Sequence, residues 1–358
     1  MPASSIDTFF ACSLMVILIV SAMVSTAKLV QPYLSTLANT NGVDRHRGLV
    51  EYMLLNPGSP FDWGKIGGSA PSAFGLASEN LQPYELDPDK VSRLNNESIY
   101  AVTYQQILAA LGTSDVSFNI KLHTIFQVSI EPVSSQNLGN QTLYTFQVST
   151  TKSGFPVSTR LNCHVTLDSY VDNVTSSTNS GGTGMVNVAL PNSLNGTTLL
   201  TVFAKAKAYP QTMAFSVYSF GHNSEIPPSN GAFLRLSPLD HILNVSFREP
   251  SLEVTEAYVL TYSYSFTLSP ITVGNESIEY SIPRLLEASP MVLVVNGHNG
   301  SDSFAEWTAY PQLPLETGAD FSDLNTQSKA IALTYIVSVD GVLYEAVISL
   351  RSVPSTNA

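Results

Sequence analysis

Charge is scarce in this chain. Of 358 residues, 16 are Lys or Arg and 28 are Asp or Glu, which together make only 12%, about half the share usual in a soluble protein. The balance is acidic, with a formal net charge of -12. No stripe of basic residues is present to neutralise phosphates, which excludes nucleic acid as a partner. Cysteine is nearly absent as well. Cys12 and Cys163 are the only two, so no disulfide framework exists and the fold must rest on its own cores. The six histidines, His46, His123, His164, His222, His241 and His298, fall in no metalloprotease or zinc-finger spacing. No catalytic constellation, metal site or cofactor site emerges, and the chain reads as a non-enzyme.

Basic residues are missing altogether before Lys28. In their place stands an uncharged run, "TFFACSLMVILIVSAMVSTA", from Thr8 to Ala27. Its length matches the roughly 20 residues an α-helix needs to cross a bilayer. A cleavable secretory peptide would carry a basic n-region and a shorter apolar core. The run is therefore expected to be a retained, single-pass anchor, with residues 8–27 in contact with lipid. Seven N-x-S/T acceptors, at Asn96, Asn140, Asn173, Asn195, Asn244, Asn275 and Asn299, are glycosylation candidates and place the bulk of the chain outside the cell.

The period of the apolar residues changes along the chain. Leu29, Val30, Tyr33, Leu34 and Leu37 recur at helical spacing. A further helix is predicted from Asp44 to Leu55, and Pro57-Gly58 stops it. Asp87-Pro88 is an N-cap with proline at the first helical position, and a helix from Ser98 to Leu111 is closed by Gly112. From Asp115 the period becomes two: Val116, Phe118, Ile120 and Leu122 alternate with polar residues, as do Tyr262, Tyr264, Phe266 and Leu268. Asp340-Gly341 joins two alternating runs as a two-residue hairpin. The expected organisation is a membrane helix with its extension over 1–40, a helical collar over 41–112, an immunoglobulin-like β domain over 113–225, and a second β-sandwich-like domain over 232–358. The "NSEIPPSNG" stretch from Asn223 to Gly231 divides the two β domains.

Several local patterns suggest chemistry and are better explained otherwise. Cys163-His164 are strand neighbours pointing to opposite faces, so they do not share one metal. Asp240-His241 with a serine lacks a nucleophile-elbow motif. "TNSGGTG", Thr178 to Gly184, lacks the Lys-Ser/Thr of a phosphate cradle. "NGHNGSD", Asn296 to Asp302, offers a single carboxylate to Ca²⁺, and Asp87 and Asp89 are explained by helix capping.

Two sets of residues carry resemblances. "TKSGFPVSTRLNCHVTL", the glycine-bearing turn before "MVNVALP" and "LLTVFAKAKAY" resemble the immunoglobulin-like modules of prokaryotic surface proteins, over about Phe146 to Phe220. The order "LLNPGSPFDWG", "FGLAS", "YELDPDKVSRL", "ILAALGTSDVSFNI", then "AYPQLPLETGADF" and "VSVDGVLYEAVISL", resembles a group of archaeal membrane-anchored, type IV pilin-like surface proteins. That resemblance makes Pro57, Gly58, Pro60, Trp63, Gly75, Leu76 and Lys90 the structural motif of the collar. It also implies that Asp7 is the candidate assembly residue, pairing with the N-terminal amine of a neighbouring subunit. The basic-plus-small pair that directs trimming in pilins is absent before Ser4. By its position alone, Asp7 is a favourable charge at a helix N-terminus, worth ~0.3 to 1 kcal/mol. The expected function is a structural and interaction protein of an archaeal envelope, with the bilayer and like or related surface subunits as partners. The alternatives are a monomeric anchored adhesin and, third, an anchored hydrolase.

Overall fold

The computed structural model describes residue 15 and residues 43–80, 82–225, 227–321 and 330–352. The chain divides into two compact units, Met1–Val50 and Glu51–Ala358. In the first, residues 43–50 are helical. Of the apolar run only Met15 is described, and it is helical and exposed. The anchor at 8–27 and Asp7 therefore lie outside the described residues. Among the described residues, no helix is long and apolar enough to cross a membrane.

The larger unit is mainly β, built of five sheets and a short helical segment. Helix α1 (Pro88–Ser92) is capped by the Asp87 side chain, which accepts from the backbone N–H groups of Asp89 and Lys90. Helix α2 (Tyr104–Leu111) opens on a Thr103/Gln106 capping box and ends at Gly112, φ 64°, the left-handed turn that glycine makes without strain. It is shorter than the sequence period suggests, because residues 98–103 are bend, turn and irregular chain rather than helix.

Helix α2 packs on a sheet whose strands come from both ends of the unit. Its order is β1 (Glu85–Leu86), β20 (Ile331–Val339), β21 (Val342–Ser352), β2 (Val116–Thr124) and β19 (Leu315–Gly318). Val116, Phe118, Ile120 and Leu122 on β2 are all buried, and so are Val342, Tyr344, Ala346, Ile348 and Leu350 on β21. The Tyr104 ring of α2 lies 4.8 Å from that of Phe118. Asp340 and Gly341 make the β20–β21 turn with φ of 48° and 77°, as an Asp-Gly hairpin requires. The strand expected to open the first β domain thus pairs with β21, the last strand among the described residues, Val116 opposite Ser352 and Thr124 opposite Tyr344.

Four further sheets lie in successive layers. The first contains β3 (Gln127–Asn137), β4 (Gln141–Lys152), β5 (Phe155–Pro156) and β8 (Thr183–Pro191). The second has the order β10 (Met213–His222), β9 (Gly196–Ala206), β6 (Thr159–Leu167), β7 (Tyr170–Ser177). In the third the order is β14 (Ser265–Thr267), β13 (Leu252–Leu260), β17 (Met291–Asn299), β18 (Asp302–Tyr310). The fourth runs β11 (Leu234–Leu239), β12 (Ile242–Phe247), β16 (Ser277–Ser281), β15 (Ser269–Val273).

One core, with Phe146, Val186, Cys163 and Val202, joins the first two layers. Another, with Leu243, Val259, Leu293 and Phe304, joins the last two. A third, with Leu199, Phe203, Tyr258, Leu260, Val292 and Val294, lies between the second and third layers. Strands β9 and β17 are consequently buried on both faces, which is why "LLTVFA", interrupted only by the buried Thr201, and "MVLVV" show no alternation.

The alternation over Tyr262 to Leu268 does not make one strand. Thr261 and Tyr264 close a turn, Thr261 N donating to Tyr264 O at 2.8 Å. Strand β14 then follows, and at the buried Leu268 the chain passes to the other sheet as β15. Tyr264 and Phe266 are left exposed and their rings stack at 5.8 Å.

Candidate functional site

The collar motif serves packing. Trp63 is 1% exposed, and its indole Nε1 donates to Gly75 O at 3.0 Å. Its ring lies 5.9 Å from Phe74 and faces the Arg93 guanidinium at 5.4 Å. Arg93, also buried, donates to three backbone carbonyls: Tyr100 O at 2.9 Å, Ser69 O at 2.6 Å, and Trp63 O. Burial lowers its affinity for the proton. Lys90 is fully buried and donates through Nζ to Ala77 O at 2.8 Å, with its pKa lowered by the same cause. Gly75 has no room for a side chain, since a Cβ there would strike the Asn56 carbonyl. Gly58, at φ 78°, takes the left-handed turn between the loop's two prolines. Pro60 follows a cis peptide bond, and Pro57 and Pro60 flank the turn while Leu76 is buried beneath it. Together these side chains fix the loop's shape.

The collar meets the third and fourth sheets through polar contacts. Asp89, 3% exposed, accepts from Tyr310 Oη and from Asp240 N, each at 2.8 Å. Burial, ahead of its hydrogen bonds, raises the Asp89 pKa. Asp240 and His241 form the two-residue turn between β11 and β12, both with positive φ. The His241 ring sits edge-on to Tyr310 at 5.6 Å, and its Nδ1 has no hydrogen-bond partner among the described residues. No serine hydroxyl engages this histidine there, so the imagined triad is not assembled among the described residues.

Asp340 titrates against the same carboxylates. Burial of its carboxyl, then the charges of Asp89, Asp87 and Glu85, raise its pKa from 3.8 to about 6. A folded-state pKa above the unfolded value means that the ionised carboxylate opposes folding. The penalty is complete above pH 6 and relieved as pH falls through 6 towards 4. The turn that carries this carboxyl is itself open to solvent, so screening reduces the effect to about 1 kcal/mol. Asp340→Asn is expected to raise Tm at pH 7 and to have a smaller advantage at pH 4, because the benefit of an Asn-Gly turn itself does not depend on pH. Equal gains at the two pH values would contradict this assignment.

The remaining sequence candidates are dispersed. Cys163 faces the core between the first two layers, where burial pushes its thiol up to about 12. His164 points to the other side of β6, with Nε2 2.8 Å from Thr261 O. Among the described residues, no group of three or more His, Cys, Asp or Glu side chains is placed to hold a metal ion. In "NGHNGSD", Asn296 is buried and donates to Asp168 O at 2.7 Å, whereas Asp302 is exposed at the start of β18. "TNSGGTG" is a hairpin turn closed by Asn179 Oδ1, which accepts from Gly181 N at 2.8 Å. Of the sequon asparagines, Asn96, Asn140, Asn173, Asn195 and Asn275 are exposed, while Asn244 and Asn299 are half-buried.

An exposed segment without charged residues of its own, which sequence reasoning missed, lies where β14 becomes β15; at its start Thr261 and Ser263 donate to the Glu287 carboxylate at 2.9 and 2.6 Å. From Thr261 to Asn275 the chain carries no charged residue. Tyr264, Phe266, Ile271 and Val273 are exposed along it, Val273 at 71%. Strand β14 is the outer strand of the third sheet and β15 the outer strand of the fourth, so each offers unpaired backbone groups on its free side.

No protein-family model matches this chain, and no curated protein matches it. Among solved structures, red sea bream transglutaminase is similar over 57% of this chain and 32% of its own, with 10% identity and a TM-score of 0.21. The matched part thus spans about a third of that structure.

Proposed function

We propose that this chain is a membrane-anchored, extracytoplasmic structural and interaction protein of an archaeal cell envelope, pilin-like in build, with immunoglobulin-like modules. The observation that carries the reading is the uncharged double edge at β14–β15. A chain of net charge -12 repels its own copies over most of its surface, whereas this stretch adds no charge of its own and offers both apolar side chains and open strand edges. The partner that fits is a second copy of the chain. The apolar segment at residues 8–27, five exposed sequons and the collar motif support the envelope setting. The layers β3-β4-β8 and β10-β9-β6-β7 support the immunoglobulin-like assignment. Asp7 remains the candidate assembly residue on the membrane side.

The setting is testable independently of assembly. Tyr209 is 74% exposed; with Cys12 replaced by Ser, Tyr209→Cys in the full-length chain is expected to react with a membrane-impermeant maleimide on intact archaeal host cells. Labelling only after lysis would reverse the topology. A second reading, an anchored adhesin that stays monomeric, is favoured by a cleft between β11 and β18.

A further inference from the structure

Strands β11 and β18 are the outer strands of the fourth and third sheets, and the gap between them opens into a cavity of about 370 Å³. Glu306 spans the gap from within. Its carboxylate, 2% exposed, accepts from Phe233 N at 2.7 Å and from Leu234 N at 2.9 Å. Gln312, 3% exposed, also lines the cavity; its Nε2 donates to Leu236 O and Thr308 Oγ1, while its Oε1 has no partner among the described residues.

The rim carries the unused polar groups. Arg248 is exposed, and only its Nε is engaged, donating to Leu234 O at 3.4 Å. Its terminal amino groups make no hydrogen bond among the described residues, and its charge is near enough to Glu306 to favour that carboxylate's ionised form. Arg235, by contrast, is committed to Glu97 O and Ser98 O. Asn95 Oδ1 accepts from Glu97 N, which leaves the Asn95 amide NH₂ and the exposed Glu97 carboxylate for a ligand. Leu313 and Pro314 supply an apolar wall.

A free guanidinium fork is matched by a carboxylate, held through two parallel hydrogen bonds. An adjacent carboxylate acceptor and amide donor are matched by neighbouring hydroxyls, and an apolar wall by the C–H face of a ring. A simple fatty acid would leave Glu97 and Asn95 unmatched, and a neutral sugar would leave Arg248 unmatched. The cavity has the size of a small-ligand pocket.

We propose that the β11–β18 cleft binds a carboxylate-bearing saccharide, a hexuronate residue, with Arg248 gripping the carboxylate and Asn95 and Glu97 the ring hydroxyls. This deepens the envelope reading by naming a ligand class, and it is independent of self-assembly.

Isothermal titration of the full-length chain in detergent micelles provides the test, with methyl β-glucuronide as the probe and methyl β-glucoside as its neutral counterpart. Free glucuronate and a short oligouronide, run alongside, distinguish a free sugar acid from a residue within a polysaccharide. The glucuronide should bind about tenfold or more tightly than the glucoside. Arg248→Gln should bring the glucuronide down to the glucoside's level without changing Tm, since that side chain is exposed. Arg248→Lys should restore only part of the difference, because the fork is lost while the charge remains. No binding of any uronide, equal binding of the two methyl glycosides, binding untouched by Arg248→Gln, or competition by acetate as strong as by the sugar would each overturn the proposal. None of these outcomes alters the cell-surface labelling at residue 209, so a failure here is distinguishable from a failure of the envelope reading.

Discussion

Trp63→Ala is expected to destabilise the collar by ~3 to 5 kcal/mol, the cost of removing a packed aromatic ring from a core. The ring is 1% exposed between Phe74 and Arg93. Its removal would also leave Gly75 O without its donor and withdraw the face on which the Arg93 guanidinium rests. In a unit of this size that is a fall in Tm on the order of 10 °C, measurable by circular dichroism. Trp63→Phe, which keeps an aromatic ring but not the indole N–H, should recover most of the loss and leave a deficit of ~1 to 3 kcal/mol from the unsatisfied carbonyl. A Trp63→Ala protein that unfolds with the parent would mean that the loop does not hold the collar together.

Phe203→Ala is the second large effect, and it bears on how the layers are joined. Phe203 is 1% exposed in the core between the second and third sheets, near the rings of His164 at 5.8 Å and Phe215 at 6.1 Å. Loss of a buried Phe costs ~3 to 5 kcal/mol. Because β9 and β13 contribute to two cores each, the parent should unfold in one calorimetric transition across all four layers, and the variant in one transition at lower temperature. Two separate transitions in the parent, with Phe203→Ala shifting neither, would show that the layers are independent domains.

The sequence was most informative where one face of a strand is wet. Val116, Phe118, Ile120 and Leu122 alternate because β2 buries one side, and Asp340-Gly341 marks its hairpin by turn chemistry alone. The same logic could not reveal the stacked layers. A strand buried on both faces has no period of two, so "LLTVFA" and "MVLVV" announce burial without saying what covers each side.

Partnering was equally hidden. The pattern makes β2 a strand, but its pairing with β21 across most of the chain is set by tertiary packing. At Tyr262 to Leu268 the alternation was genuine and the inference of a single strand was not, because the chain changes sheets at Leu268. The candidate surfaces follow the same rule. The β14–β15 stretch is contiguous and its lack of charge can be read directly, yet its exposure depends on two sheets ending there together. The β11–β18 cleft gathers Asn95, Arg248, Glu306 and Gln312 from distant segments, and no spacing rule connects them.

Cross-linking at β15 tests the account most directly. Thr272 is exposed on that outer strand. With Cys12 replaced by Ser and Cys163 buried, full-length chains bearing Thr272→Cys, displayed on intact archaeal host cells, would be treated with a short, membrane-impermeant bis-maleimide. The account predicts a covalent dimer of the chain from Thr272→Cys, and little from Tyr209→Cys, which is also exposed. Monomer alone from Thr272→Cys, or the same dimer yield from both positions, would contradict it.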